Sequence, residues 1–457
     1  MKRREVLRSL AAAAFPGALS QAGRTPADFR LRIAPVTLEL APGKLVRTIG
    51  YNGAAPGPLL RLREGQRAAI DVYNDTDVEE LVHWHGLHIP SEVDGSREEG
   101  TPAVPAHGHR RYSFTATPSG TRWYHTHTMA GRDLKRATYT GQFGFFIVDP
   151  KRDRGSYDQE VFLALKEWNP HMTGEDDPAG TLDAAYEYFS INDRALGHGA
   201  PIRVKERQRV LFRILNASAT VHRRVALAGH KFLVTAMDGN PLALPKETEA
   251  LELGPAERID AIVEMNQPGV WIFGTTDDHD REAGMGIVVE YARQGGTPRW
   301  LPPGNERWDY RLFGTAATRI EEAERIPLVF EKNGFKPFPG ARFREFGVGR
   351  RWMDKWTING KSYPQTDPIR VKANGRYRLV FDNRSDEAHP LHLHRHTFEL
   401  TKVDGVPTAG VRKDVVVVRA KSQMEVDLVA NHPGPTLFHC HQQMHMDYGF
   451  MALMEYS

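Results

Sequence analysis

The sequence predicts an all-β protein made of three tandem Greek-key β-sandwich domains, on three observations. Short runs that alternate apolar and polar residues recur along the chain, and long amphipathic helical patterns are scarce. A set of local markers repeats three times in the same order. At 457 residues the chain is also too long for one compact core, so two or three domains are needed.

The first marker is a strand-like run ending in asparagine and a small or polar residue. RAAIDVYNDT, RVLFRILNAS and RYRLVFDNRS end on Asn74, Asn216 and Asn383. A second asparagine precedes each: Asn52, Asn192 and Asn359, at distances of 22, 24 and 24 residues. A third marker follows each, where SGTRWYHTH, PGVWIFGTT and PGPTLFHCH align on Gly120, Gly269 and Gly434. Pro- and Gly-rich stretches near 150–155 and 293–307 read as linkers. The domains are therefore expected at 23–150, 151–295 and 308–457, each the size of one sandwich.

Residues 1–22 are expected to be an export signal. Arg3 and Arg4 precede a short Ala-rich apolar run, and Ser20-Gln21-Ala22 is a small-x-small cleavage site. The segment is similar to a twin-arginine signal, with Glu5 and Val6 departing from that pattern, so a periplasmic location is expected. The run is too short to span a bilayer, and no other segment reads as a membrane span. A net charge of +3, with no basic stripe interleaved with aromatics, gives no reason to expect nucleic acid. A monomer is expected.

Comparing the copies shows a division of labour. Nine residues after Asn74 and Asn383 stand His83 and His392, whereas nine after Asn216 stands Val225. Five after the aligned glycines stand His125, Gly274 and His439. The outer copies thus carry histidine pairs, and the middle copy acts as a spacer. His222, six residues past Asn216 as His389 is six past Asn383, reads as a relic of a lost site, since Thr275 stands where the third copy has Cys440.

Four histidine clusters carry the chemistry: HWH at 83–85, HTH at 125–127, HPLHLH at 389–394 and HCHQQMH at 439–445. On a strand, residues i and i+2 share a face, so each H-x-H presents two imidazoles together. A crowd of neutral nitrogen donors suits copper, which tops the divalent affinity series. Structural zinc needs about four ligands, far fewer than are present. Cys440, the only cysteine, faces away from His439 and His441. There it can join His389 and His445 in a two-imidazole, one-thiolate site of the blue-copper kind.

These segments, in this order and on three repeats, closely resemble the multicopper oxidases. The resemblance implies three cupredoxin-like domains and four copper ions: one type 1, one type 2 and two type 3. It implies one-electron oxidation of a small reductant coupled to reduction of O2 to water. By motif position, His389, Cys440 and His445 would hold the type 1 copper, and His83 and His392 the type 2 copper. His85, His125 and His441 would hold one type 3 ion, and His127, His394 and His439 the other. Asp94, in SEVDG, matches an acid the family uses to deliver protons near the type 2 copper. Asp-Gly is equally a turn signal, and both readings stand.

Departures from the family pattern inform the rest. Phe450 stands where many bacterial members have an axial methionine, and a non-coordinating residue favours a high potential. A one-residue shift bringing Met451 to the copper is the competing reading. Arg395 stands where glycine is usual and is expected at the surface or behind the ligands. Met446 stands where some bacterial members have a second acid. The 12 methionines form no methionine-rich insertion of the cuprous-oxidase kind. With Phe450, this favours a laccase-like oxidase of phenols or aromatic amines; oxidation of metal ions (cuprous, ferrous or manganous) is the alternative.

Overall fold

The computed structural model describes residues 26–152, 155–174, 182–315, 322–334 and 354–457; the expected export signal lies outside them. The described chain forms six sheets, two for each repeat. Repeat one contains four-stranded sheets. Repeats two and three pair a six- or seven-stranded sheet with a five-stranded one. All three open alike: Phe29–Ala41, Gln159–Thr173 and Glu324–Gly334 run parallel to Arg67–Asn74, Arg209–Asn216 and Arg376–Asn383. Each of those second strands then pairs antiparallel with a later one, as in a Greek-key sandwich.

The marker asparagines have a physical reason. Asn52, Asn192 and Asn359 take left-handed φ values of 52°, 58° and 52°, which asparagine tolerates better than most residues. Each amide bridges back to the opening strand. Asn52 Oδ1 accepts from Arg32 N and its Nδ2 donates to Arg30 O, and Asn192 and Asn359 repeat the pattern with Ala164 and Phe162, and with Val329 and Pro327. The second set, Asn74, Asn216 and Asn383, is buried. Each accepts from the backbone N–H two residues on and donates to carbonyls of the next loop. These asparagines pin the turns that aim the following histidine strands.

Alternation sets the layers. In the first domain Trp84, between His83 and His85, points into a core with Tyr112, Phe114, Tyr124 and Phe146. The core of the second domain continues into that of the third through Trp308, Tyr310 and Phe313. Trp123, Phe143, Phe145 and Trp168 join the first domain to the second. At Gly120 the two domains touch so closely that a Cβ would lie 2.0 Å from the Gly239 carbonyl oxygen. The domains are thereby held in one arrangement, with the histidine strands of the first and third facing each other.

Candidate metal centre

The H-x-H strands deliver their imidazoles as pairs. His83 pairs across its sheet with His125, and His392 with His439. The first and third domains bring these pairs together face to face: His83 stacks on His394 with ring centroids 3.9 Å apart, and His85 on His392 at 3.8 Å. Three ligand groups form there, with donor atoms all within 4.8 Å of one another: His83, His85 and His392; His85, His125 and His441; and His127, His394 and His439. Every member is buried.

Hydrogen bonds decide which nitrogen each ring offers. His83 and His392 use Nδ1 on the carbonyls of Asp94 (2.9 Å) and Asp414 (2.7 Å). His125 and His439 use Nδ1 on the carbonyls of Thr126 (2.7 Å) and Cys440 (2.9 Å). With Nδ1 as donor, Nε2 keeps its lone pair. Nε2 of His83, His127, His392 and His441 is buried without any hydrogen-bond partner. His85 is reversed: its Nε2 lies 3.2 Å from Asp414 Oδ1, and its Nδ1 lies 3.4 Å from His125 Nε2. Burial, and then the neighbouring imidazoles, push His125, His392, His394 and His441 well below the ordinary histidine range, which keeps the rings neutral. A buried crowd of unpartnered lone pairs is costly unless a cation gathers them. The donor set fits copper.

On the opposite face of the HCH strand, Cys440 Sγ lies 3.4 Å from His445 Nδ1 and 3.8 Å from His389 Nδ1. Burial pushes the Cys440 thiol well above its ordinary range, so a bound cation is what would hold it as a thiolate. The far nitrogens are fixed, His389 Nε2 by Ser385 Oγ at 2.7 Å and His445 Nε2 by Glu387 Oε2 at 3.0 Å. Phe450 is fully buried, its ring 4.9 Å from that of His389 and 5.9 Å from that of Trp356. Met451 sits opposite His439 in the neighbouring strand and packs on Leu437 and Met446. It thus lies on the face away from the sulfur.

Sequence profiles described as multicopper oxidase match residues 33–153, 159–293 and 342–457. The chain belongs to the multicopper oxidase family. It is 30% identical over 453 residues to Multicopper oxidase MmcO of Mycobacterium tuberculosis, covering 92% of this chain and 85% of that one. It is 24% identical to Laccase-2 of Fomitopsis schrenkii, over 88% of this chain and 84% of the relative. Among solved structures, a multi-copper oxidase from Pseudomonas thermotolerans matches with a TM-score of 0.71 at 26% identity, covering 94% of this chain and 100% of that one. Fet3p, described as a multicopper oxidase that functions in iron import, shares the fold with a TM-score of 0.78 at 19% identity, over 94% of this chain and 90% of that one. This protein is therefore a copper-dependent oxidoreductase using O2, with four copper ions of types 1, 2 and 3.

The oxidase places three further carboxylates at the histidines that the motifs alone do not reveal. Asp414 precedes an apolar strand in RKDVVVV, with no local signal beyond a charge at a strand edge. It is fully buried and accepts from Arg258 Nη1 at 2.7 Å, Arg258 Nη2 at 2.6 Å and Arg122 Nη1 at 3.3 Å, so it ties all three domains together behind His85. Glu99 Oε2 lies 3.2 Å from His394 Nδ1. Glu387, two residues before His389, meets His445; an acid so close to a ligand segment was the available clue.

Asp94 lies both at a turn and against the histidines. It ends a one-turn helix, Ser91–Asp94, before Gly95 at φ 104°. Its carboxylate is fully buried, with Oδ2 3.0 Å from His83 Nδ1 and 2.8 Å from His394 Nδ1. Burial alone would raise Asp94, but His83 beside it holds it low. Burial and the Asp94 charge push Glu99 well above the usual carboxylate range. The two environments thus favour the carboxylate form on Asp94 and the protonated form on Glu99, which lies beside the ring of His394.

Of the two places expected for Arg395, it takes the one behind the ligands: it is 1% exposed, its Nε lies 3.6 Å from Glu99 Oε1, and its guanidinium donates to the carbonyls of Ile89, His432, Pro433, Gly434 and Pro435. Its φ of 57° explains why glycine is usual at this position. One expectation needs correction: His222 is not a relic of a ligand. The strand pairs Ala226, not Val225, with Gly274, as His392 pairs with His439. The middle copy therefore has one extra residue after Asn216, and a one-residue slip reverses which face a side chain takes.

Proposed function

We propose that this oxidase removes single electrons from phenols or aromatic amines, in the manner of a laccase, and uses them to reduce O2 to water. In this reading His389, Cys440 and His445 hold the type 1 copper, and His83 and His392 the type 2 ion. His85, His125 and His441 hold one type 3 ion, and His127, His394 and His439 the other. The observation that carries it is Cys440: one strand sends His439 and His441 into the trinuclear group and Cys440 into the blue-copper group. Copper supplies the electron transfer and O2 chemistry; the protein orients the ligands, excludes water and holds protons. Asp414 fixes the ring of His85 with its Nδ1 toward the cluster. Asp94 and Glu99 keep a proton at the edge of His394, where the consumption of protons by O2 reduction requires a local source.

The substrate test is turnover of a phenol panel against Cu(I) at matched copper loading. The reading expects phenols to be the better donors; turnover of Cu(I) alone would sink it. The metal-ion reading has one specific observation in its favour: Glu387, about a third exposed and ion-paired with Lys332 Nζ at 3.0 Å, puts a carboxylate on His445 Nε2, where a cation exchanging with Lys332 would approach. If cations enter there, Glu387→Gln lowers turnover of Fe(II) or Cu(I) several-fold more than that of a neutral phenol, measured as the ratio of the two kcat/KM values.

Phe450 supports a high potential, because its ring fills the position next to His389 without offering a donor atom. Phe450→Met is expected to lower the type 1 potential, read by redox titration of the blue band, and to slow oxidation of the phenols that are hardest to oxidise. Export through a twin-arginine-like leader is supported by Arg3, Arg4 and the Ser20-Gln21-Ala22 site. Among the described residues no helix is long and apolar enough to cross a membrane.

A further inference from the structure

Two methionines that the blue-copper group leaves unused, Met446 and Met451, meet beside the trinuclear group. The one-turn helix Gln443–Asp447 sends successive side chains in different directions, so His445 reaches Cys440 while Met446 lines a small cavity elsewhere. After Gly449, at φ 104°, the chain turns back, and Met451 opens a strand by pairing with His439. Cross-strand partners share a face, so the Met451 side chain lies beside the His439 ring. Met446 and Met451 are 3% and 2% exposed, and they pack together with Leu437.

The cavity has a volume of about 10 Å³, and its walls include His125, His127, His439, His441, Gln443 and Met446. That is room for one water, or one ion of similar size. It touches ligands of both type 3 groups, and Nε2 of His127 and of His441 is buried there without a hydrogen-bond partner. Every histidine of the cluster is buried, so an ion has to pass protein atoms to reach it. Met446 is the soft donor among these walls, and thioether sulfur selects Cu(I) over hard ions. The approach carries an acid. Glu98 is half-buried, accepts from Ser96 Oγ at 2.7 Å, and stands close enough to His127 and Tyr363 for its charge to act on both. Tyr363 in turn packs on the Met446 and Met451 cluster. Carboxylate, thioethers and imidazoles thus follow one another from the approach to the cluster.

We propose that Met446 and Met451 form a transient Cu(I) site through which copper enters the three-ion cluster. The ion arrives past Glu98, rests on the two thioethers, and exchanges a sulfur for an imidazole of His127, His439 or His441. No electron moves in this step and no proton is released, because thioethers and neutral imidazoles bind the ion through lone pairs. A neutral thioether is a weak ligand, which suits a donor that has to let the ion go. The site serves loading of the enzyme and not turnover, so it is independent of which reductant the loaded oxidase uses.

The test follows loading of the full-length, copper-free chain in the absence of O2. Cu(I) is supplied as its bicinchoninate complex, and the loss of that colour gives the rate of uptake; Cu(II) is supplied in a parallel series. Met446→Leu and Met451→Leu conserve volume and remove only the sulfur. Each is expected to slow Cu(I) uptake at least about 10-fold, the scale on which the partners of a metal site act, and to leave Cu(II) uptake within about 2-fold. The final copper count per chain is expected to match wild type, since the histidines are untouched. The blue band that develops when O2 is admitted shows that the fold and the Cys440 site are intact, and either variant decides the matter if the other does not fold. Unchanged Cu(I) uptake overturns the inference. Equal slowing with Cu(I) and Cu(II) overturns it too, because a packing defect hinders both ions alike.

Discussion

Replacing Cys440 by serine is expected to remove the blue absorption and to lower turnover by more than about 10²-fold, while the histidine-held copper stays bound. The magnitude follows from a comparison: losing a hydrogen-bond partner of a ligand costs roughly 10–100-fold, and losing the ligand itself costs more. The selectivity follows from the geometry. Cys440 faces His389 and His445, whereas the trinuclear histidines lie on the other face of its strand and keep their own carbonyl and carboxylate partners. Serine is close in size and maintains the strand, so Leu391 still pairs at that position. Absorption near the blue band, copper content per chain and turnover of a phenol, measured on one preparation, check the three parts together.

The second large effect is on stability. Asp414→Ala is expected to cost about 3–5 kcal/mol, because it leaves the guanidiniums of Arg122 and Arg258 buried without their carboxylate. Both arginines are fully buried, one in the first domain and one in the second, so the loss falls on the contact among all three domains. A fall of roughly 10 °C in the apparent melting temperature is expected. Since His85 Nε2 also loses its partner, copper affinity falls about 10–100-fold as well. Asp414→Asn, which retains the shape and an acceptor, is expected to fall between the two. Calorimetric melting and copper retention during dialysis against a chelator read the two consequences separately.

The parts of this architecture that were legible in the sequence are those written in local spacing. The all-β, three-repeat organisation follows from asparagines that must sit at fixed places, two in each sandwich: one in a left-handed turn and one making a buried amide bridge. The four histidine segments were legible because a period of two puts i and i+2 on one face, and the faces do meet. What lay beyond reach depends on contacts made across hundreds of residues. Asp414 meets Arg122 and His85 only because the first and third domains close on each other. Arg395 is one residue from a ligand and reads equally as a surface arm or a group behind the ligands; only the fold shows its guanidinium taken up by carbonyls of the Pro433–Pro435 turn. His222 shows a different limit. Counting from Asn216 aligned it with His389, and one inserted residue, visible only in strand pairing, turned it to another face and another partner.

If one blue copper, held through Cys440, feeds a three-ion cluster shared by the first and third domains, copper content and the visible spectrum of the purified wild-type oxidase will show it together. Four copper ions per chain are expected, with an intense blue band that fades when a phenol is added without O2 and returns when O2 is admitted. Fully loaded protein with no blue band, or with a band that a reductant does not bleach, would contradict it.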